Sequence, residues 1–296
     1  MKGTCFPYLL FKLEFIVFLT LLTVPFARNI DVKNDKTKYF QETKADFENW
    51  LLENQIVINK DVKIVRSGKL TKVRGIEATA LLKKKTIICQ IPLSKLINIE
   101  HALLDEIIGP ILEKERYLSD LFGMALYLYK LLNYNLNPYL NFLPKFENSD
   151  NNNYDNMGIP ERLKMKIRKE QQRRHKYTTD IFVKKLNVNT IFFSNLSIYE
   201  FEFLISLVQS RIFKIRVKNN RNNQWEHAKC LVPFADMFNT AKIKTKINVE
   251  CFTNEESTDF VCQTTKTIQA GEELLVPYVH RKKEDHGVDL FLTYGF

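Results

Sequence analysis

Short β-branched runs lie near both ends of this sequence, and a long stretch of helical periodicity separates them. VKIV (62–65), GIEATA (75–80) and TIICQIP (86–92) are broken by RSGK and LLKKK, which predicts three strands joined by tight turns. A helix is predicted over 40–54, and helical spacing returns over 100–135, where Ser119 or Asp120 is placed to cap the second of two helices. NPYLNFLP then stops that helix at Pro138. SIYEFEFLISLVQSRIFK (197–214) opens on Ser197 with Glu200 three residues later, a capping box. The last third reads as strands again: CLVPFADMF, KINVECFTN, TDFVCQTTKTI and EELLVPY, with turns at TNEEST and at Gly271. A short helix, KKEDHGVDLFLTYGF, closes the sequence. Strands flanking a helical block define an α+β fold, not a repeating β-α-β winding.

One apolar stretch carries polar residues it has no packing use for. In LVPFADMFNT (231–240), Asp236 and Asn239 sit among Val, Pro, Phe, Ala and Met at the end of a buried strand. An unpaired buried amide costs about 1–3 kcal/mol, so these two either form a structural turn or anchor something.

At 296 residues with 45% apolar content, the chain can bury one sizeable core, or a core and a smaller lobe. Its net charge of +10 suits acidic partners without identifying one. ERLKMKIRKEQQRRHK (161–176) concentrates that charge, with eight Lys/Arg against two Glu. It reads either as a solvated surface helix or as a docking face for an acidic partner. The absence of interleaved aromatics argues against nucleic acid. ENSDNNNYDNMG (147–158), just before it, is too polar to order itself by burial.

Five cysteines (Cys5, Cys89, Cys230, Cys251, Cys262), with no C-x-x-C pair, argue against a disulfide scaffold and a structural zinc site. Cys251 and Cys262 flank the predicted hairpin, but buried free thiols are the expectation for both. A lysine-flanked opening and the uncharged run FIVFLTLLTVPFA (15–27) predict a signal peptide over 1–27, or else a signal anchor. The basic polar leader at 28–44 suits passage along the secretory route and onward to a plastid. The alternatives are a membrane-anchored protein, or a cytoplasmic or nuclear one if the N-terminus is an artefact of the gene model.

Taken in order, TKVRGIEATALLKKKTIICQIP, LVQSRIF, LVPFADMFNT and IQAGEELLVPY…LFLTYGF resemble the SET-domain protein methyltransferases. They are most similar to the branch with a helical insert inside the domain, typified by the Rubisco large-subunit lysine methyltransferase. The resemblance covers residues 45–296, with the insert at about 93–205. It implies a β-rich SET fold with a threaded C-terminal segment, S-adenosyl-L-methionine as cofactor, no metal, and a protein substrate with an exposed lysine. The chain is expected to be a monomer. Relatives continue into a helical lobe that binds protein substrates; this sequence stops at Phe296, so the expectation is either that the lobe is absent or that the sequence is a fragment or a truncated gene model.

The resemblance also implies site roles. Lys72, Val73, Arg74 and Gly75 match the loop that cups the cofactor, and Asn239 and Thr240 bind it partly through their backbone. Arg211 touches cofactor or substrate. Ser210 and Asp236 offer carbonyls to the target amine. Tyr278 is the tyrosine tied to methyl transfer, Tyr294 closes the lysine channel, and Phe296 lines the adenine pocket. Two positions depart from the pattern: Val73 stands where the first loop glycine is expected, and Thr240 where histidine follows the asparagine. The implied activity is protein-lysine N-methylation. Its alternatives are protein-histidine N-methylation and a catalytically silent SET fold that acts as a binding module.

Overall fold

The computed structural model describes residues 36–67, 73–114, 119–134, 137–146, 161–182, 193–218, 224–241 and 244–278. The chain divides into two units, Met1–Thr43 and Lys44–Phe296. Of the first, residues 36–43 are described, as the opening turns of helix α1 (Lys36–Glu53). The expected signal or anchor, the start of the leader, Lys72, Tyr294, Phe296 and the closing helix all lie outside the described residues.

Within the second unit, Phe47 and Leu51 bury the inner stripe of α1, at 0% and 3% exposure. The helix stops because Gln55 turns into the left-handed region (φ 59°). Gln55 N–H then bonds Leu52 O and Ile56 N–H bonds Leu51 O, a Schellman closure with Ile56 folded onto Leu51.

The predicted strands are present as β2 (Val62–Ser67), β3 (Val73–Ala78) and β4 (Ile87–Pro92), after a short β1 (Val57–Ile58). Among the described residues, three antiparallel sheets carry the β-rich part, with strand orders β1-β4-β9-β8, β2-β3 and β5-β7-β6. Here β5 is Ile97–Asn98, β6 Ile212–Lys218, β7 Trp225–Leu231, β8 Val249–Thr253 and β9 Asp259–Thr264. Between β5 and β6 the described residues form the helices α2 (Ile99–Leu103), α3 (Ile108–Lys114), α4 (Asp120–Asn133), α5 (Pro138–Phe142), α6 (Glu161–Ile181) and α7 (Ile198–Arg211). Both ends of this insert return to β7, through Ile97↔Leu231 and Ile212↔Leu231.

Local chemistry explains the insert's helix starts. Ser197 Oγ accepts from Glu200 N–H at 3.1 Å, which caps α7. Pro138 opens α5 rather than only ending α4, with the Asn137 side chain capping Tyr139 N–H. Gly123 lets α4 lie close under α2 and α3, since a Cβ there would stand 2.6 Å from Ile99 Cδ1.

Four expectations need correction. The helix expected over 197–214 is shorter: α7 stops at Arg211 and β6 begins at Ile212. The strand expected through CLVPFADMF ends at Leu231 and gives way to a 3₁₀ turn over Ala235–Met237. EELLVPY joins its neighbours through single bridges and not a regular strand. Cys251 and Cys262 are not free thiols; they face each other across β8 and β9 and are joined as a disulfide. Cys89 and Cys230 are free and buried, and burial pushes both thiols up to about 12.

A buried ion pair fixes the α2–α3 corner. Asp105 accepts from the Ile107 and Ile108 amides through Oδ1 and from Lys130 Nζ through Oδ2, at 2.9, 2.9 and 2.7 Å. Burial pushes the Asp105 carboxyl up, but Lys130 and the two amides outweigh it and hold the group below its usual range. A depressed carboxyl stabilises the fold above its unfolded value of about 3.9, and that contribution is lost as pH falls through the folded value. Lys130→Met is therefore expected to cost about 2 kcal/mol at pH 7. The gap from wild type in urea denaturation should narrow below about pH 3.9.

Candidate active site

The segment 268–278 threads between β3 and the turn that follows β7. Ile268 bridges Leu82, Glu273 bridges Glu77, and Leu275 bridges Asn239 in parallel. Gly271, at φ 84°, makes the entry turn. From there Gly271 N–H bonds Ala78 O, Ala78 N–H bonds Glu272 O, Leu274 N–H bonds Ile76 O and Val276 N–H bonds Asn239 O. Asn248 clamps the same segment with its side chain, donating to Glu273 O at 2.9 Å and accepting from Leu275 N–H at 2.7 Å.

Asn239 is the knot of this arrangement. Its Nδ2 donates to Arg74 O at 3.0 Å and to Glu273 Oε1 at 2.6 Å, so one amide ties β3, the turn and the threaded segment together. Gly75 makes room for it: a Cβ at 75 would lie 2.5 Å from Glu273 Oε1 and 2.9 Å from Asn239 Nδ2. Gly75→Ala is expected to displace both side chains and to lower stability by about 1–3 kcal/mol, measured by thermal melting.

The threaded segment delivers Tyr278 back to the turn. Its hydroxyl donates to Phe238 O at 2.9 Å, and its N–H reaches Thr240 Oγ1 at 3.4 Å. Thr240 thus has a structural partner where histidine was expected. Val73, the other departure, is a regular strand residue paired with Ser67.

Asp236 is the second polar residue of the stretch. Its side chain is fully buried. Oδ2 accepts from Tyr139 Oη at 3.0 Å and from Arg211 Nη1 at 3.1 Å, and the same guanidinium nitrogen donates to Asp236 O at 3.0 Å. Burial pushes the Asp236 carboxyl above its ordinary value, against the opposing pull of Arg211, Tyr139 and Arg74. It also pushes the Tyr139 phenol well up, reinforced by the neighbouring Asp236 charge. Phe234, just before the turn, is buried and held at φ 70°. Such a conformation costs an L-residue about 1–3 kcal/mol and clusters at sites where backbone placement matters.

An aromatic wall backs the polar knot. Phe47 stacks on Phe142 with ring centroids 5.1 Å apart, Trp50 stacks on Tyr139 at 6.4 Å, and the Arg74 guanidinium lies 4.7 Å over the Phe142 ring. Arg74, Gly75, Arg211, Asp236, Asn239, Thr240 and Tyr278 are therefore linked through one connected set of contacts. Ser210 sits at the end of α7, but its hydroxyl bonds back to Leu207 O. Sequence reasoning passed over Tyr139, Asn248 and Glu273. Asn248 had a signal, an amide inside the β-branched run INVEC; Tyr139 had none, because its partner lies 97 residues away.

The SET domain family model matches residues 73–279, and the chain belongs to that family. Its fold is that of the SET domain of LSMT bound to lysine and AdoHcy, at TM-score 0.66 and 19% identity over 86% of this chain and 57% of that one. Similar matches are the SET domain of LSMT bound to methyllysine and AdoHcy, and Rubisco LSMT bound to AdoMet. These have TM-scores 0.65 and 0.61, each at 20% identity over 86% of this chain and 56% of that one. The chain thus spans little more than half the length of these structures. No curated protein matches it.

Proposed function

We propose that this chain is a protein-lysine N-methyltransferase that uses S-adenosylmethionine. The observation that carries the reading is the Tyr278 phenol, fixed on Phe238 O one residue before Asn239. Matching structures were solved with AdoMet or AdoHcy, and two of them with lysine or methyllysine. S-adenosylmethionine supplies the methyl group as an electrophilic sulfonium when bound. The donor set here suits that ligand: the backbone of Arg74 and Gly75 at the edge of β3, and the backbone of Asn239 and Thr240 facing it. Arg74 and Arg211, the two guanidinium groups that both act on Asp236, would hold the carboxylate of the cofactor.

The chain's own residues meet the remaining demands. An attacking lysine amine must be neutral, and its reference pKa is about 10.4. Burial beside aromatic side chains and near Arg211 favours the uncharged form. The Tyr278 hydroxyl donates its proton to Phe238 O, and a hydroxyl oxygen can accept as well as donate, so it would accept from the amine N–H and aim the nitrogen lone pair. Holding the amine in that geometry removes much of the entropic barrier. Arg211, anchored twice on Asp236, fixes the turn against the end of α7.

The test is a peptide panel containing lysine or histidine, incubated with the chain and S-adenosylmethionine and read by intact mass. A gain of one or more methyl masses on lysine peptides supports the reading. Gain on histidine peptides alone contradicts it, and no gain on any peptide, with cofactor binding also absent, supports a silent SET fold.

A further inference from the structure

Helix α6 carries a face that the site does not use. Ile167 and Thr178 are buried on one side of it, and α6 packs against α7 there. On the opposite side Arg162, Lys166, Lys169, Arg173 and Lys176 recur at 4-3-4-3 spacing, all exposed. At 1.5 Å per residue this stripe runs about 21 Å along the helix. Two carboxylates of α6 pair within the helix, Glu161 with Lys164 and Arg168, and Glu170 with Arg173 and Arg174; the third, Asp180, is exposed and ends the same face one turn beyond Lys176. Arg162, Lys169 and Lys176 have no ion pair among the described residues. Met165, 58% exposed, lies in the same face between the first cations, and Gln172 continues it.

We infer that this face docks an acidic amphipathic segment of a partner protein, laid along α6. A row of cations at helical repeat, interrupted by Met165 and Gln172, fits a partner helix with Glu or Asp at the same repeat and one apolar contact. A lipid surface fits poorly, because the apolar side of α6 is buried against α7 and, among its described residues, leaves only Met165 and Tyr177 exposed, too little apolar surface to insert. A single nucleic-acid strand fits poorly too, because no ring is interleaved between the cations; Tyr177, exposed just after Lys176, is held edge-on by Phe122. The face also has a route to the candidate site. Arg174 Nη1 bonds Gln209 Oε1 at 3.4 Å, and His175 Nδ1 pairs with Glu202 Oε1 at 2.8 Å, so α6 is tied to the helix that ends in Ser210 and Arg211. A methylation substrate with an acidic docking segment is the partner class this placement suits. That extension rests on the proposed activity, whereas the docking itself does not.

The test is fluorescence anisotropy with a labelled 21-residue peptide bearing glutamate at 4-3-4-3 spacing, with no cofactor present. Three proteins are compared: wild type, a helix variant (Arg162→Gln, Lys166→Gln, Lys169→Gln, Lys176→Gln) and a control that loses the same charge elsewhere (Lys60→Gln, Lys83→Gln, Lys84→Gln, Lys114→Gln). The helix variant is expected to bind at least about tenfold more weakly and the control within about twofold of wild type, with the difference shrinking at high salt. Hydrogen exchange on wild type should place peptide-induced protection within 161–181, which decides the matter even if the variant folds poorly. Equal losses in both variants, an undiminished helix variant, or protection elsewhere would overturn the inference. So would tighter binding of a 20-nucleotide RNA or of anionic vesicles through the same residues. Peptide binding with no methyl transfer in the panel assay would sink the activity and leave the docking face standing.

Discussion

Tyr278→Phe should lower methyl transfer about 100- to 1,000-fold while S-adenosylmethionine affinity stays within about threefold. The substitution removes one oxygen and leaves the ring, so packing against the turn is retained. What disappears is the fixed acceptor for the amine, held in place by the bond from Tyr278 Oη to Phe238 O. That acceptor matters only when an amine is being aimed, so kcat should carry the loss. Rates and calorimetric affinities measured on the same preparation separate the two. Equal losses in rate and affinity would instead make Tyr278 a structural support of the ligand pocket.

The second large effect falls on stability. Arg211→Met leaves the Asp236 carboxylate, whose side chain is 0% exposed, with Tyr139 as its remaining partner in the described contacts. Removing one member of a buried pair typically costs about 3–5 kcal/mol, or roughly 10 °C in melting temperature for a domain this size. The pH dependence has a definite sign. Asp236 already sits above its ordinary value because of burial, so its charged form opposes folding at neutral pH. Loss of Arg211 raises it further, the native state binds a proton more readily than the unfolded chain, and the penalty shrinks as pH falls. Asp236→Asn added to Arg211→Met should recover most of the loss at pH 7. A melt of the single variant that is insensitive to pH between 7 and 5 would contradict this.

A pair that costs stability when charged points to positioning as the reason for its presence. Arg211 grips both the carboxylate and the carbonyl of Asp236, and so sets where the 235–240 turn lies relative to α7. The carbonyl expected to face the substrate thus already has one donor, which fixes its direction.

Much of this was legible in the sequence because it depends on local chemistry. Gly75 and Gly271 are needed where a Cβ has no room or φ is positive, and such positions show as glycines in short motifs. The Ser197–Glu200 box and the turn residues between strands are likewise written within four or five residues. Other features are not local. Nothing in SRIFKIRVK breaks a helix at Arg211; the chain turns extended there because β7 offers Ile212 to Lys218 a partner. The Cys251–Cys262 bond depends on the register of β8 on β9, and spacing alone does not fix a register. Tyr139 and Asp236 meet only after the insert folds back over the sheets.

On the proposed reading, the knot at Asn239 holds S-adenosylmethionine beside Tyr278. Calorimetric titration of S-adenosylhomocysteine into the chain tests it most directly, with Asn239→Ala as the paired variant. Saturable one-site binding is expected for the wild-type chain, with at least a tenfold loss, ~1.4 kcal/mol, in the variant. No binding to the wild-type chain, or equal binding to a folded Asn239→Ala, would contradict it.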